Sequence, residues 1–208
     1  YTKLPNYPMT VMRLVEHSLS PKLVYMLRNP IERAVSHYIH EWSMRAISEP
    51  IDNALKTFPE LVDYGKYAMQ LVPWVEQFGK ENILVVSLEN LKSNPQVTLE
   101  CVGDFLGKTD LTWKDGLERV NVSSDRARTF PLQKLLIDNP AARLLRRSLI
   151  PKSVRNRIRK SRQLNERPTL SDDSVRELKQ LYAQDFEKRN AIYPDRLDLK
   201  SSYGFLQA

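Results

Sequence analysis

Two short apolar runs set the strongest limit on the fold of this chain. Residues 22–27 (Lys-Leu-Val-Tyr-Met-Leu) and 83–88 (Ile-Leu-Val-Val-Ser-Leu) have the length of β-strands and scarcely alternate between polar and apolar positions. Such runs are typical of strands buried on both faces of a parallel sheet. Because helical patterns separate the two runs, they are expected to pair in parallel through a right-handed crossover. The sequence therefore predicts an α/β fold with a central parallel sheet flanked by helices.

Apolar residues at helical spacing predict the elements around this sheet. Pro30 suits the first turn of a helix, and an apolar stripe follows it from Ile31 to Trp42. Ser171, followed by two aspartates, predicts the start of a long helix. The 208 residues fit one domain spanning 1–208, and no internal repeat is present. Further helices are expected over residues 9–19, 51–57, 63–78 with a kink or break at Pro73, and 95–106 with a cap at Gly107.

The positive charge of the chain is concentrated in one segment. Residues 143–167 contain ten basic residues and one acid, so this segment carries +9 while the whole chain carries +7. The remaining residues are therefore slightly acidic, and a globally basic surface for nucleic acid is not expected. A basic helical segment is predicted over residues 140–167. It is interpreted either as a solvated face or as a contact for a polyanion at 143–167.

Several classes of protein are disfavoured by what the sequence contains. No run approaches 18 apolar residues, so no membrane span is expected. Cys101 is the single cysteine, which excludes an internal disulfide framework and favours a reducing compartment such as the cytoplasm. Residues 103–109 are one residue short of a nucleotide P-loop and lie at a predicted helix end. His37 and His40 have no third ligand nearby, so no metal site is predicted.

The residues that follow the first predicted strand form the best candidate for a binding site. Arg28 stands at the carboxyl end of that strand, the edge where open α/β sheets bind ligands. The helix that starts at Pro30 would offer backbone donors to an anion. At 100° per residue, Arg33, Ser36 and His40 fall on one face of this helix. These groups indicate either a phosphate clamp or a solvated polar face.

Residues 27–38 carry a resemblance to a known family. Their sequence, Leu-Arg-Asn-Pro-Ile-Glu-Arg-Ala-Val-Ser-His-Tyr, resembles the 3′-phosphate-binding motif of sulfotransferases that use 3′-phosphoadenylyl sulfate (PAPS). The resemblance implies a P-loop-like sulfotransferase fold in which Arg28 and Ser36 hold the 3′-phosphate. It further implies that His40 lies near the reaction centre. Residues 1–7 are similar to a family segment whose lysine lies close to the sulfuryl group, and Lys3 takes that place.

The resemblance extends over nearly the whole chain. Residues 64–78 are similar to the family's Gly-x-Tyr and Leu-x-x-Trp helix, and residues 83–107 to its run of strand, Glu-x-Leu, Pro and Phe-Leu-Gly. Residues 121–128 stand where relatives carry a loop that closes over the 3′-phosphate. This implies cofactor contacts for Arg126 and Arg128, although the glycine usual in that loop is replaced here.

One part of the family pattern has no counterpart in the sequence. The family begins with a strand and a Gly-x-x-Lys-[Ser/Gly]-Gly-Thr loop that wraps the 5′-phosphosulfate, and a glutamate or histidine base follows it. The chain therefore resembles the C-terminal two-thirds of a sulfotransferase domain with the N-terminal part missing. The 208-residue form is accordingly expected to bind cofactor weakly and to turn over negligibly.

The function implied by the resemblance is transfer of a sulfuryl group from PAPS to a hydroxyl or amine. The acceptor is expected to be a small molecule or a carbohydrate, and the chemistry requires no metal. Lys3 would offset charge on the departing oxygen, and His40 would orient the acceptor or assist proton removal. Two alternatives stay open. One is a basic module that binds a polyanion or nucleic acid, and the other is a sulfotransferase-like scaffold without catalysis.

Overall fold

A two-stranded parallel sheet lies at the centre of the described part of the protein. The computed structural model describes residues 3–17, 21–114, 128, 166–193 and 203–206. Strand β1 (Leu23–Leu27) pairs with strand β2 (Ile83–Ser87) over five residues, with Leu23 opposite Ile83 and Leu27 opposite Ser87. The predicted parallel pairing of the two apolar runs is confirmed.

Helices account for most of the other described residues. The crossover between β1 and β2 contains four helices, and the chain continues through helices on both sides of the sheet. Two short 3₁₀ helices are found at Lys80–Asn82 and Gly204–Leu206. The α-helices are α1 (Thr10–His17), α2 (Pro30–Ser43), α3 (Ile51–Thr57), α4 (Glu60–Asp63), α5 (Tyr67–Phe78), α6 (Leu88–Ser93), α7 (Pro95–Leu106) and α8 (Asp172–Ile192).

The two strands differ in burial, because the helices cover them unequally. Strand β2 is buried along its whole length, as predicted. On one face it packs with α5 and α8, and on the other face Leu84 and Val86 contact Phe105 of α7. The prediction that β1 is buried on both faces is wrong for the described chain. Val24 and Met26 are 43% and 50% exposed, since α7 covers β2 on that face and does not extend over β1.

Helix α2, which carries the predicted binding motif, is fixed by an apolar cluster of its own. Its apolar stripe packs against α3, α4 and the residues that precede α3. This follows from the spacing of the stripe, which places the apolar side chains on one side of the helix. The opposite side is left for polar residues. The buried members of the cluster are Val35, Tyr38, Ile39, Ile47, Ile51, Ala54 and Leu61.

Two of the predicted helix boundaries are wrong. Residues 63–78 are predicted as one helix with a kink or break at Pro73, but the chain divides at 64–66 and α5 runs without a break through Pro73. A turn forms at these residues, where Gly65 lies against α8. A Cβ atom added to Gly65 would lie only 2.8 Å from the hydroxyl oxygen of Tyr182. Helix α5 starts beyond that turn, where the Asp185 carboxylate accepts the backbone N–H of Ala68 at 2.9 Å.

Local capping signals explain the boundaries that the sequence predicts well and one helix that it misses. Gly107 ends α7 in the left-handed conformation, with φ of 69°. Ser171 caps α8 by accepting the N–H of Ser174. Helix α6 was not predicted, although Ser87 caps it by accepting the N–H of Asn90 at 3.0 Å. The basic segment predicted over 140–167 lies outside the described residues except for 166–167. Among the described helices, none is both long and apolar enough to cross a membrane.

Candidate functional site

The candidate site lies at the carboxyl ends of β1 and β2. Arg28 and Asn29 follow β1, and Glu89 stands in the first turn of the helix that follows β2. The backbone N–H of Asn29 donates to Oε1 of Glu89 at 2.9 Å and so joins the two strand ends. Ligands of open α/β sheets bind at this edge, so the placement agrees with the position predicted for Arg28.

The start of α2 is capped by its own sequence. The side-chain oxygen of Asn29 accepts the N–H groups of Ile31 at 3.0 Å and of Glu32 at 3.2 Å. Asparagine is among the preferred N-cap residues because its oxygen reaches these first-turn donors. The prediction that the first backbone donors of α2 are available to an anion is therefore wrong for these two groups. An anion at this corner must be held by side chains.

Tyr67 holds the backbone of Arg28, and the guanidinium of Arg28 lies near the Glu32 carboxylate. The hydroxyl of Tyr67 donates to the carbonyl of Arg28 at 2.6 Å and accepts its N–H at 3.3 Å. Burial raises the pKa of Tyr67 to about 12, so the phenol keeps the proton that it donates. The side chain of Arg28 is 27% exposed, and its Nη2 lies 3.6 Å from Oε2 of Glu32. The guanidinium therefore faces the solvent-accessible start of α2.

The other members of the predicted clamp have different surroundings. Ser36 is partly exposed on α2, about 9 Å along the helix axis from Pro30. Arg33 is turned away toward α4, since its Nη2 donates to the carbonyl of Leu61 and its guanidinium lies 5.9 Å from the ring centre of Tyr64. Ser36 therefore lies in the second turn of α2, partly exposed, whereas Arg33 joins α4 to α2.

Arg167 belongs to the same corner and was not singled out from the sequence. Its Nη2 contacts Oε2 of Glu32 at 2.5 Å, so Glu32 lies between the guanidinium groups of Arg28 and Arg167. The two arginines are far apart in the chain, and the sequence signal for Arg167 was only its place at the end of the basic segment 143–167. The structure therefore brings the side chains of Arg28 and Arg167 together at Glu32, in the first turn of α2.

Lys3 is positioned by a buried glutamine. Gln70 is fully buried on α5, and its Oε1 accepts the N–H of Leu4 at 2.9 Å. Its Nε2 donates to the carbonyls of Leu4 at 2.8 Å and Asp63 at 3.1 Å. These bonds fix the backbone next to Lys3. The Lys3 ammonium then lies 6.0 Å from the ring centre of Tyr64, close to α2.

Replacing Gln70 with leucine tests this arrangement. Gln70→Leu keeps the volume of the side chain but leaves three backbone groups without their buried partner. Each such loss costs about 1–3 kcal/mol, so we expect a clear drop in the free energy of unfolding, measured by urea titration. Gln77→Leu on the exposed side of α5 is the matched control. Equal stability of the two variants would show that the bonds from Gln70 contribute nothing.

His37 is a second group near Lys3 that sequence analysis did not assign. Its imidazole stacks on the ring of Tyr64, with 5.4 Å between ring centres and 20° between planes. Burial, and after it the charges of Arg33, His40 and Lys3, lower the pKa of His37 to about 4. His37 is therefore neutral near pH 7. Its burial depends on the packing of Tyr64, which helical spacing alone does not reveal.

His40 lies farther along α2, and Arg128 contacts the same end of that helix. The imidazole of His40 is 43% exposed, and its Nε2 lies 3.9 Å from Oε1 of Glu41. The guanidinium of Arg128 lies 5.0 Å from the ring centre of Trp42, about 18 Å along the helix from Pro30. The predicted cofactor contact of Arg128 is untested, and Arg126 lies outside the described residues. In the described ranges, no three His, Cys, Asp or Glu side chains are grouped to hold a metal ion.

The comparisons with known proteins agree with one another on the family. The family model described as "Sulfotransferase domain" matches residues 7–189. Mouse heparan sulfate glucosamine 3-O-sulfotransferase 3B1 is 32% identical over 117 residues, which cover 50% of this chain and 30% of the relative. Mouse carbohydrate sulfotransferase 15 is 30% identical over 126 residues, covering 47% and 22%. The aligned part therefore spans less than a third of the length of these curated relatives.

A solved structure agrees on the fold. The crystal structure of a sulfotransferase from Alicyclobacillus acidocaldarius superposes with a TM-score of 0.59 and covers 92% of this chain and 62% of that chain. The sequence identity is 19%, so this likeness concerns the architecture. It supports the predicted arrangement of a parallel sheet flanked by helices.

Proposed function

The chain belongs to the sulfotransferase domain family, and we propose that it takes part in transfer of a sulfuryl group from PAPS to a hydroxyl or amine. The observation that carries this proposal is the group of side chains at the start of α2. Arg28 directly follows β1, and Arg167 reaches the same corner through Glu32. Ser36, partly exposed in the second turn of α2, is proposed to add its hydroxyl. These side chains are the donors that a phosphate requires.

The corner fits the 3′-phosphate of PAPS by its chemistry. A guanidinium presents a planar fork that pairs with two phosphate oxygens, and a hydroxyl adds a third donor. The Arg28 backbone is fixed by Tyr67, so little conformational freedom is lost when its side chain engages an anion. Because Asn29 occupies the N–H groups of Ile31 and Glu32, recognition rests on side chains.

The reaction would be an in-line displacement, by analogy with phosphoryl transfer. PAPS supplies the activated sulfuryl group when bound. Lys3 is proposed to offset the negative charge that develops on the departing bridging oxygen. His40, partly exposed on the same helix, is proposed to orient the acceptor or to receive its proton. His37 is neutral near pH 7 and adds no charge beside Lys3.

The proposed acceptor class is a carbohydrate. Support comes from two relatives, one named for glucosamine in heparan sulfate and the other named as a carbohydrate sulfotransferase. The alternative of a separate polyanion-binding module stays open, because residues 143–165 of the basic segment lie outside the described residues. Arg167, at the end of that segment, contacts Glu32 in the proposed 3′-phosphate corner.

Transfer of labelled sulfate tests the proposal. PAPS carrying ³⁵S in the sulfuryl group is mixed with hydroxyl-bearing and amine-bearing glycans. Protein is kept in excess, so that transfer in a single turnover is detected even where repeated turnover is negligible. The proposal expects label to move to an acceptor. Binding of PAPS with no labelled acceptor would contradict catalysis and support the alternative of a non-catalytic scaffold. Absence of PAPS binding would contradict the proposed corner as well.

A further inference from the structure

Glu32 places a negative charge inside the corner that is proposed to bind an anion. Its Oε2 contacts Nη2 of Arg167 at 2.5 Å and lies 3.6 Å from Nη2 of Arg28. The side chain of Glu32 is 50% exposed, and those of Arg28 and Arg167 are 27% and 44% exposed. One carboxylate oxygen of Glu32 thus lies near the Nη2 atom of each guanidinium group. A bound phosphate would need the same two Nη2 atoms as hydrogen-bond donors.

Neither arginine depends on Glu32 for its backbone position. The backbone of Arg28 is held by Tyr67. Beyond Arg167, the chain is fixed to α3 because Ser171 donates its N–H and its hydroxyl to the Asp52 carboxylate at 3.1 and 3.0 Å. Exposed ion pairs contribute little to folding stability. Glu32 therefore contributes little to holding Arg28 and Arg167 in position.

We propose that Glu32 is an internal competitor for the 3′-phosphate. In the ligand-free protein it occupies the guanidinium groups of Arg28 and Arg167, and an arriving phosphate displaces its carboxylate from them. This inference rests on the proposed function. The two arginines and Glu32 together carry +1, so a phosphate meets a weaker field than the arginines alone would give. After transfer, the returning carboxylate favours release of adenosine 3′,5′-bisphosphate (PAP), the desulfated product.

The test is the affinity of Glu32→Gln for PAP, measured by calorimetry at low and moderate salt. Removing a unit charge about 4 Å from the ligand charge should tighten binding about fivefold. The gain should shrink as salt rises, because exposed charges are screened. Affinity for adenosine 5′-phosphate, which lacks the 3′-phosphate, should stay unchanged. Glu76→Gln makes the same charge change at an exposed position on α5 and should have no effect.

Three results separate a failure of this inference from a failure of the proposed function. If Glu32→Gln binds PAP only as well as wild type, while both still prefer PAP to adenosine 5′-phosphate, Glu32 does not compete. If the variant binds PAP less well, Glu32 supports the corner. If neither protein distinguishes the two nucleotides, the 3′-phosphate corner itself is wrong. Because Glu32 is half exposed, the variant should fold, and its melting temperature checks this.

Discussion

In Lys3→Ala, the rate of sulfuryl transfer should fall about 100- to 1000-fold, because one preorganised group that stabilises developing charge is lost. Lys3 is proposed to act on the departing oxygen, which gains charge mainly in the transition state. The affinity for PAP should therefore change much less than the rate. Single-turnover transfer of ³⁵S from PAPS measures the rate, and calorimetry measures the affinity.

A matched variant controls for the loss of a surface lysine. Lys80 is exposed in the 3₁₀ helix before β2, and Lys80→Ala should leave both the rate and the affinity unchanged. Equal transfer rates for Lys3→Ala and Lys80→Ala would remove Lys3 from the reaction. The bonds of Gln70 to Leu4 would then serve stability alone.

In Arg28→Ala, the affinity for PAP should fall about 10- to 150-fold, equivalent to ~1.5–3 kcal/mol for a charged hydrogen bond. The backbone bonds from Tyr67 to Arg28 involve no side-chain atoms of Arg28, so the fold should be kept. Calorimetric titration with PAP gives the loss, and thermal unfolding shows whether the structure is intact.

The control for this variant is an arginine with no role in the corner. Arg176 is exposed on α8 and pairs with Asp173, and Arg176→Ala should bind PAP as wild type does. If Arg28→Ala and Arg176→Ala show the same affinity as wild type, the strand-to-helix corner does not hold the cofactor. Any binding site for PAP would then have to lie elsewhere in the chain.

Features written in short stretches of sequence were predicted well. The unalternating apolar runs gave the two parallel strands, and Gly107 and Ser171 gave helix ends, because capping depends on neighbouring residues. The motif around Arg28 does lie at the end of β1, and its role in binding stays a prediction. The same local logic could have shown that Asn29 caps α2, since an asparagine before Pro30 is a common start of a helix.

Features that depend on distant residues were missed. The contact of Arg167 with Glu32 and the bonds of Gln70 to Leu4 join residues far apart in the chain, and no local pattern encodes them. The burial of His37 depends on the ring of Tyr64, which stacks on it and belongs to the turn before α5. The exposed face of β1 has the same origin, since the burial of a strand depends on which helices reach it.

The most direct measurement of the central claim compares two nucleotides on the wild-type chain. PAP and adenosine 5′-phosphate differ only by the 3′-phosphate, so their difference in affinity tests the 3′-phosphate site that is proposed at Arg28, Ser36 and Arg167. Calorimetry should show PAP binding at least about tenfold more tightly, the difference expected from one charged hydrogen bond. Equal affinities for the two nucleotides would contradict the account.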